Sequence, residues 1–501
     1  MAAGAPVTAP PVARVKGAAL VVAAIALLVV VALPTPAGLS VAGQRVLAVL
    51  AFAIVVWITE AVSYAVSAAL VVSLGALLLG AAPPFAKGAS TAAGAQLGTS
   101  KALGHMLEGF ASPAAALVAA AVFLAAAMRH TQLDRRLALL VLRRTGTGPR
   151  GILLGAILVG IVLAFFVPST TARVGAIVPI MGGMVAAFGL ARDSRLAACL
   201  MITTAQVATI WNVAIKTAAA QNLLAVGLIQ QSLGVTISWA MWFRQAAPWA
   251  VVMTGVLYVV MRVIVPPEPV GGPEARAAVQ AQLAALGPVR AAEWRLIAVA
   301  VALLALWSTE GSLHAFDTST TTLAAVTLLL LPRIGVLSWE EAERLVPWGT
   351  VVLFAVGISI GAVLIATGAA AWLARATLGA LGVASLSPLA MLAVLSAINV
   401  VVHLGFASAT SLAATWIPIV LAFVAALQRP DVPALGMVLV QQFVVSFGFL
   451  LPVNSPQNMV AYSTGAFTTR DFLRTGVWIT LVGYALLLAL AATWWRWTGL
   501  L

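Results

Sequence analysis

Apolar runs of roughly 20 residues follow one another along most of the chain, and they constrain its fold more than any other feature. A helical run of that length spans the hydrocarbon core of a bilayer, which is about 30 Å thick. Transmembrane strands are shorter and alternate apolar with polar residues, and the runs here do not alternate. Only 8% of the 501 residues are charged, against about 25% in soluble domains. The sequence therefore predicts an all-α, multi-pass membrane protein.

About eleven crossings are predicted, with the N-terminus in the cytoplasm. Residues 1–16 are rich in Ala and Pro, and we expect them to be disordered. The run that follows resembles a signal peptide, but it is long and lacks a clean cleavage site, which favours an uncleaved first helix. The predicted spans lie near residues 17–34, 44–62, 64–82, 112–130, 196–229, 247–265, 295–311, 319–335, 348–374, 434–464 and 475–495. We expect the spans at 196–229 and 434–464 to be broken in the middle.

Two further apolar blocks, 151–190 and 387–427, are each interrupted by a cluster of hydroxyl residues. Hydrocarbon offers no hydrogen bonds, so a non-helical polar turn at that depth survives only inside protein or beside a wet cavity. We expect the two arms of each block to be too short to cross, which predicts two re-entrant hairpins with the hydroxyl clusters at their tips. The clusters are Ser169-Thr170-Thr171 and Ser408-Ala409-Thr410.

The second half of the chain repeats the first. Trp57–Glu60 recurs as Trp307–Glu310, and the two hydroxyl clusters recur at a similar offset. The sequence predicts a disordered segment, a first repeat, a cytoplasmic linker and a second repeat, at residues 1–16, 17–265, 266–294 and 295–501.

The cationic residues test this arrangement. Of the 27 Lys and Arg residues, eighteen fall on inner segments and seven on outer ones, as the positive-inside rule requires. The net charge of +13 is thereby explained without nucleic acid. The same topology puts the base of one hairpin inside and that of the other outside, so the repeats are inverted.

Four stretches of the chain resemble the divalent anion:sodium symporter family, whose members carry dicarboxylates, citrate and sulfate. The resemblance implies a homodimer in which a transport domain moves against a fixed scaffold, an elevator mechanism. The family usually has Ser-Asn-Thr at both tips, and its asparagine helps to bind the substrate carboxylate. That asparagine is absent from both tips of this chain, so the tips do not identify the substrate. The four stretches are Trp57–Glu60, Ser169–Thr171 with Pro179, Pro347–Gly368 and Leu451–Asn458.

The candidate substrate-binding residues are the polar side chains at the tips and in the interrupted helices, where helix N-termini attract anions and unwound carbonyls attract Na⁺. Plain helix packing is the alternative for any single hydroxyl. No cofactor is predicted; Na⁺, as a coupling ion, has candidate sites at Ser169, Thr171, Ser408 and Thr410. The substrate candidates are Ser169, Thr170, Thr171, Arg173, Asn212, Lys216, Ser408, Thr410, Asn454, Ser455 and Asn458.

Arg173 and Lys216 are the only cations placed within the membrane. A charge at that depth costs several kcal/mol unless it is paired or hydrated. No carboxylate lies in the apolar stretch around either residue, so we expect them to be fixed positive charges that face an anionic substrate. Snorkelling of Arg173 to an interface is the alternative. His403 is either their second-half counterpart, a proton carrier, or a packed core histidine.

These features predict a secondary active transporter of small organic anions, di- or tricarboxylates, that works by Na⁺-independent exchange in a bacterial-type inner membrane. A Na⁺-coupled dicarboxylate or sulfate symporter, a channel and an intramembrane enzyme are the alternatives. The segment Gly357–Gly361 matches the Gly-x-Ser-x-Gly pattern of hydrolases. That motif needs a strand-to-helix turn, whereas this one sits inside an apolar helical span, so no enzyme activity is predicted.

Overall fold

The computed structural model describes residues 11–85, 95–146, 148–269 and 272–501. Within these ranges the chain is helical and contains no strand, which confirms the all-α prediction. The first half contains α1 (Pro11–Ala32), α2 (Val41–Thr59), α3 (Tyr64–Gly80), α4 (Thr99–Leu107), α5 (Pro113–Thr131), α6 (Leu133–Arg144), α7 (Pro149–Phe166), α8 (Thr170–Ala187), α9 (Arg195–Ala214), α10 (Ala220–Leu233), α11 (Trp239–Ile264) and α12 (Pro273–Ala285). The second half contains α13 (Ala291–Thr309), α14 (Thr318–Leu330), α15 (Trp339–Leu345), α16 (Trp348–Ala366), α17 (Ala369–Ala374), α18 (Pro388–His403), α19 (Ala409–Leu427), α20 (Ala434–Val445), α21 (Pro456–Tyr462), α22 (Thr469–Ala492) and α23 (Trp494–Trp497).

Serine residues begin many of these helices. Ser40 accepts a hydrogen bond from the Gly43 N–H at 2.9 Å, and Ser112 accepts one from Ala115 at 3.1 Å. A serine oxygen in this position satisfies an N–H group that has no partner within the helix. Such caps matter at a membrane boundary, because an unsatisfied N–H is costly wherever water is scarce.

Ten helices in the described ranges are long and apolar enough to cross a membrane. Seven of them coincide with predicted crossings, and the other four predicted crossings are shorter apolar helices. The remaining three are α7, α8 and α19, which are arms of the expected hairpins. The expectation that the arms are too short is therefore wrong for these three, which have 18 or 19 residues, against about 17–25 in transmembrane helices. The fourth arm, α18, has 16 residues. The re-entrant path of the hairpins remains a prediction.

Helix α9 lies at the centre of the fold and α13 at its periphery. The apolar window of α9 is 100% buried, whereas that of α13 is 28% buried. A helix that is apolar all round belongs inside a bundle, and one with an exposed apolar face suits contact with lipid. Helix α9 packs against α7, α8, α11 and α21.

Some helix limits differ from the sequence prediction. Helix α1 begins at Pro11, inside the segment expected to be disordered, while residues 1–10 lie outside the described residues. The short helices α4, α6 and α15 were not predicted, because a search for long apolar runs does not detect short amphipathic helices.

Four helix interruptions were predicted, and all four are present. Two separate α7 from α8 and α18 from α19, at 167–169 and 404–408; two interrupt the paired helices α9–α10 and α20–α21, at 215–219 and 446–455. Helix α21 packs against α8 and α9, and α10 packs against α19. Each half therefore places its interrupted helix against the hairpin of the other half.

The linker between the halves is held by a buried ion pair. Arg136 of α6 donates to the carboxylate of Glu293, and both side chains are almost fully buried. The same guanidinium donates to the carbonyl oxygens of Leu286, Gly287 and Pro288 at 2.9–3.3 Å. Helix α12 ends at these carbonyls and packs against α6 and α8. Arg136 thus ties the end of the linker to the first repeat.

Candidate functional site

A cavity of about 900 Å³ lies where the four interruptions meet. Its volume falls within the range of about 300–1,000 Å³ that is usual for small-molecule sites. The interruptions contribute Pro168, Ser169, Thr170, Thr171, Ala172, Ala219, Ala220, Gln221, Ser408, Ala409, Thr410, Ser455, Pro456 and Gln457. Helices α3, α5 and α16 and the residue before α16 form the facing wall with Tyr64, Val122, Ala125, Pro347, Thr350 and Leu353.

The two hairpin tips have nearly the same geometry. Ser169 and Ser408 are both extended, with φ and ψ of −148° and 112° and of −143° and 121°. Each serine oxygen accepts a hydrogen bond at 3.4 Å from the N–H three residues later, at Ala172 and Ser411. Each hydroxyl hydrogen is thus left to donate elsewhere.

Four helices begin at the cavity. The first residues of α8, α10, α19 and α21 all line it. A helix N-terminus carries free N–H groups and a partial positive charge, so it attracts anions. The cavity therefore combines converging N-termini with hydroxyl groups, an arrangement suited to a small carboxylate.

Six of the predicted residues line the cavity, and the other six are buried outside its lining. Those that line it are Ser169, Thr170, Thr171, Ser408, Thr410 and Ser455. Those behind it are Arg173, Asn212, Lys216, His403, Asn454 and Asn458. Sequence reasoning missed other polar lining residues, among them Tyr64, Thr350, Gln221 and Gln457. The two glutamines each precede an asparagine, at 221–222 and 457–458, and these pairs repeat between the two halves.

Arg173 lies directly behind the first tip and has no exposed surface. Its Nη1 donates to the carbonyl oxygen of Val167 at 2.7 Å and to that of Ala218 at 2.9 Å. Its Nη2 donates to Asn212 Oδ1 and is 3.4 Å from Thr170 Oγ1. The guanidinium thus joins the carbonyl groups of both interruptions in the first half. Snorkelling toward an interface does not fit this position.

Lys216 points away from the cavity. Its Nζ donates to the carbonyl oxygen of Ile237 at 2.6 Å and to Thr318 Oγ1 at 3.3 Å. Thr318 Oγ1 in turn donates to Glu310 Oε2 at 2.6 Å. A carboxylate therefore lies near Lys216 in the fold although none is near it in the sequence, and this lysine ties the α9–α10 interruption to the start of α14.

We expect Lys216→Met to weaken the fold more than it weakens substrate binding. The change removes two hydrogen bonds that join separate parts of the chain, but no group that lines the cavity. The purified variant should melt at a lower temperature and keep a KM within about threefold of the wild type. Loss of anion affinity with an unchanged melting temperature would contradict this role.

In the second half, Asn454 and His403 lie behind the tip. Asn454 Nδ2 donates to the carbonyl oxygens of His403 at 2.9 Å and Phe406 at 3.2 Å. His403 Nε2 is 3.4 Å from the Asn454 carbonyl oxygen. The carbonyl groups behind the second tip are therefore also occupied by side chains of the protein.

Asn458 supports the interruption rather than the cavity. Its Nδ2 donates to the Gly448 carbonyl at 2.8 Å, just as Asn222 Nδ2 donates to the Asn212 carbonyl at 2.7 Å. Both asparagines are fully buried. Matching bonds in the two halves indicate a shared structural task, which is to satisfy a carbonyl that the broken helix leaves free.

A comparison with protein families identifies the chain. The model described as the sodium:sulfate symporter transmembrane region matches residues 14–501. The chain belongs to this family. The resemblance inferred from the four sequence stretches is confirmed, since the divalent anion:sodium symporters are the same family.

Relatives of this symporter-family chain include a membrane protein of Cupriavidus necator strain H16. It is 50% identical and covers 96% of this chain and 92% of its own length. The L-tartrate/succinate antiporter of Escherichia coli K12 is 28% identical over 405 residues, which are 79% of this chain and 81% of the antiporter.

A solved structure, the YdaH transporter of Alcanivorax borkumensis, has a similar fold. The TM-score is 0.55 with 13% identity, and the match covers 85% of this chain and 97% of that one. At that identity the likeness supports the fold of the symporter-family chain and nothing about its substrate.

Proposed function

We propose that this chain exchanges small dicarboxylate anions across a bacterial inner membrane without using Na⁺. The observation that carries the proposal is the buried Arg173 guanidinium, hydrogen-bonded to the carbonyls of both first-half interruptions. Unwound carbonyls of this kind coordinate the coupling cation in transporters with broken helices. In this chain the guanidinium of Arg173 binds these carbonyls instead. We infer that it replaces the Na⁺ that a symporter would bind there.

The anion is expected to bind between the two tips. The N-termini of α8 and α19 attract its carboxylates, and the hydroxyl groups of Ser169, Ser408 and Ser455 donate to them. Arg173 and Asn212 act from behind the tip by fixing its backbone and supplying charge. A dicarboxylate has a negative charge at each end, so one carboxylate can bind at each tip.

The likeness to an L-tartrate/succinate antiporter supports this substrate class, since tartrate and succinate are both dicarboxylates. It also supports exchange over net uptake. Family membership favours transport over catalysis, and the Gly357–Gly361 segment lies inside helix α16 and not at a strand-to-helix turn.

The movement that we propose is of the elevator type. The two hairpins and two interrupted helices form the transport domain, which slides along the wall formed by α3, α5 and α16. In this proposal the hairpins are re-entrant, the N-terminus is cytoplasmic and two copies form a homodimer.

The test is counterflow in proteoliposomes. Vesicles loaded with succinate should take up labelled succinate and tartrate equally well in sodium and in choline buffers, and vesicles without internal dicarboxylate should take up little. Exchange that stops when sodium is removed would overturn the Na⁺-independent proposal.

The second candidate is a Na⁺-coupled symporter of dicarboxylates or sulfate, which the family description favours. In that case Ser169, Thr171, Ser408 and Thr410 are the hydroxyls beside which Na⁺ would bind. Uptake into vesicles without internal anion, driven by a sodium gradient, would identify this function.

A further inference from the structure

One part of the cavity lining comes from the junction of α5 and α6, which supplies Arg129, Gln132, Asp134 and Arg135. The charge distribution of the chain predicts that this junction is cytoplasmic. We propose that Arg129 and Arg135 form a second anion site, the vestibule, where a dicarboxylate docks before it reaches the hairpin tips. The inference rests on the exchange function proposed above and names a further site for the same substrate.

Both arginines keep unused donors beside the cavity. Arg129 is exposed in the last turn of α5, and its Nη2 donates to the Leu345 carbonyl. Arg135 Nη2 donates to Gln282 Oε1 at 3.3 Å, and its Nη1 makes no hydrogen bond with the residues that the structure describes. Neither arginine forms a salt bridge within the described ranges. Each is thus held on one side and free to bind a carboxylate on the other.

The carboxylate of Asp134 partly offsets the positive charge of Arg129 and Arg135. Its Oδ1 accepts the Arg135 N–H at 2.7 Å. Burial raises the pKa of Asp134 to about 6, although that N–H and the charges of Arg129 and Arg135 lower it. The carboxyl is therefore mainly ionised at neutral pH and neutral below that pKa. Other titratable groups near the junction are His130 and Glu341, which lie 4.0 Å apart.

Because the repeats are inverted, the cytoplasmic end of α5 can be compared with the outer end of its counterpart, α16. Helix α5 ends at Thr131, whose hydroxyl donates to the carbonyl four residues earlier, and the next residue, Gln132, has φ 60°. Thr367 makes the same bond at the end of α16, and Gly368 follows with φ 74°. This match places Ile365 and Ala371 at the positions of Arg129 and Arg135.

The outer counterpart of the vestibule is therefore apolar. Two guanidinium groups beside a cavity raise the local concentration of a dianion and its rate of association by about 10- to 1,000-fold at low ionic strength. We expect the exchanger to bind its substrate more tightly from the cytoplasm than from outside, and only the cytoplasmic side to depend strongly on salt.

The experiment compares right-side-out with inside-out membrane vesicles, using succinate exchange at low and high ionic strength. The double variant Arg129→Gln/Arg135→Gln should raise the cytoplasmic KM about tenfold at low salt and leave the external KM unchanged. Arg143→Gln/Arg144→Gln is the matched control, because it also removes two charges, from exposed positions on α6 outside the cavity lining. An unchanged KM, or equal changes on both sides, would overturn the vestibule.

Asp134→Asn is expected to change the cytoplasmic KM in the opposite direction, and it leaves both arginines in place. It should lower the cytoplasmic KM at pH 7.5 and have no effect at pH 5, where the wild-type carboxyl is already neutral. Because the same substrate at the same pH is used for both proteins, the ratio of their KM values isolates the contribution of Asp134. A ratio that stays constant between these pH values would count against the vestibule.

A failure of the proposed exchange function can be distinguished from a failure of the vestibule. If the wild type does not exchange dicarboxylates, that function is wrong whatever the variants do. Binding of succinate and sulfate to the purified protein then decides the vestibule. Equal affinities for the wild type and the Arg129→Gln/Arg135→Gln variant would exclude it, and about tenfold weaker binding by the variant would support it.

Discussion

Arg173→Ala is expected to lower dicarboxylate exchange about 100-fold and to make the remaining exchange depend on Na⁺, a loss of about 3 kcal/mol. The substitution removes a buried cation and leaves the carbonyls of Val167 and Ala218 without their donor. The carbonyl oxygens that bound the guanidinium in the wild type can then bind Na⁺. Sodium in the buffer should therefore restore part of the activity, and choline should not.

Arg173→Lys is the informative companion to this variant. Lysine keeps the charge but is a compact point charge that cannot span two carbonyl groups as the planar guanidinium does. Activity between those of the wild type and the alanine variant is expected, without a response to Na⁺. Initial rates of counterflow in sodium, potassium and choline buffers provide the measurement. Wild-type exchange by Arg173→Ala would show that the charge behind the first tip is not needed.

Glu293→Leu is expected to destabilise the protein by about 3–5 kcal/mol, because it leaves Arg136 buried without its counter-ion. Arg136 is 7% exposed and Glu293 is 1% exposed, so water cannot take over the role of the carboxylate. The variant should melt at a markedly lower temperature in detergent and accumulate poorly in the membrane.

Two comparisons isolate the ion pair. Glu274→Gln removes an exposed carboxylate from the linker helix α12 and should change the melting temperature little. The double variant Arg136→Met/Glu293→Leu should regain much of the lost stability, since no buried charge remains unpaired. Equal melting temperatures for Glu293→Leu and the wild type would mean that the pair does not hold the linker.

The sequence was sufficient to predict the interruptions of the helices. Ser169 and Ser408 mark their hairpin tips because a polar turn inside an apolar block has few structural explanations. Asn222 and Asn458 likewise sit where broken helices leave carbonyl groups free. Such local conflicts between polarity and depth are visible without tertiary structure.

The partners of the buried cations were not predictable in the same way. Arg173 and Lys216 look alike in the sequence, yet one is bonded to the carbonyls behind a hairpin tip and the other to Thr318, 102 residues away. Carbonyl directions and long-range contacts depend on how the helices pack, which no local pattern records. The proposed vestibule was not predictable for a related reason, since Arg129 and Arg135 look in the sequence like any other cations of a cytoplasmic segment.

The position of Arg173 has an energetic consequence for the cell. A carrier whose balancing charge is covalently attached obtains no driving force from an ion gradient. Swapping one dianion for another then moves no net charge, so membrane voltage neither speeds nor opposes the cycle. Direction is set by the relative abundance of the two anions on either side, and import of one ceases when the other is exhausted.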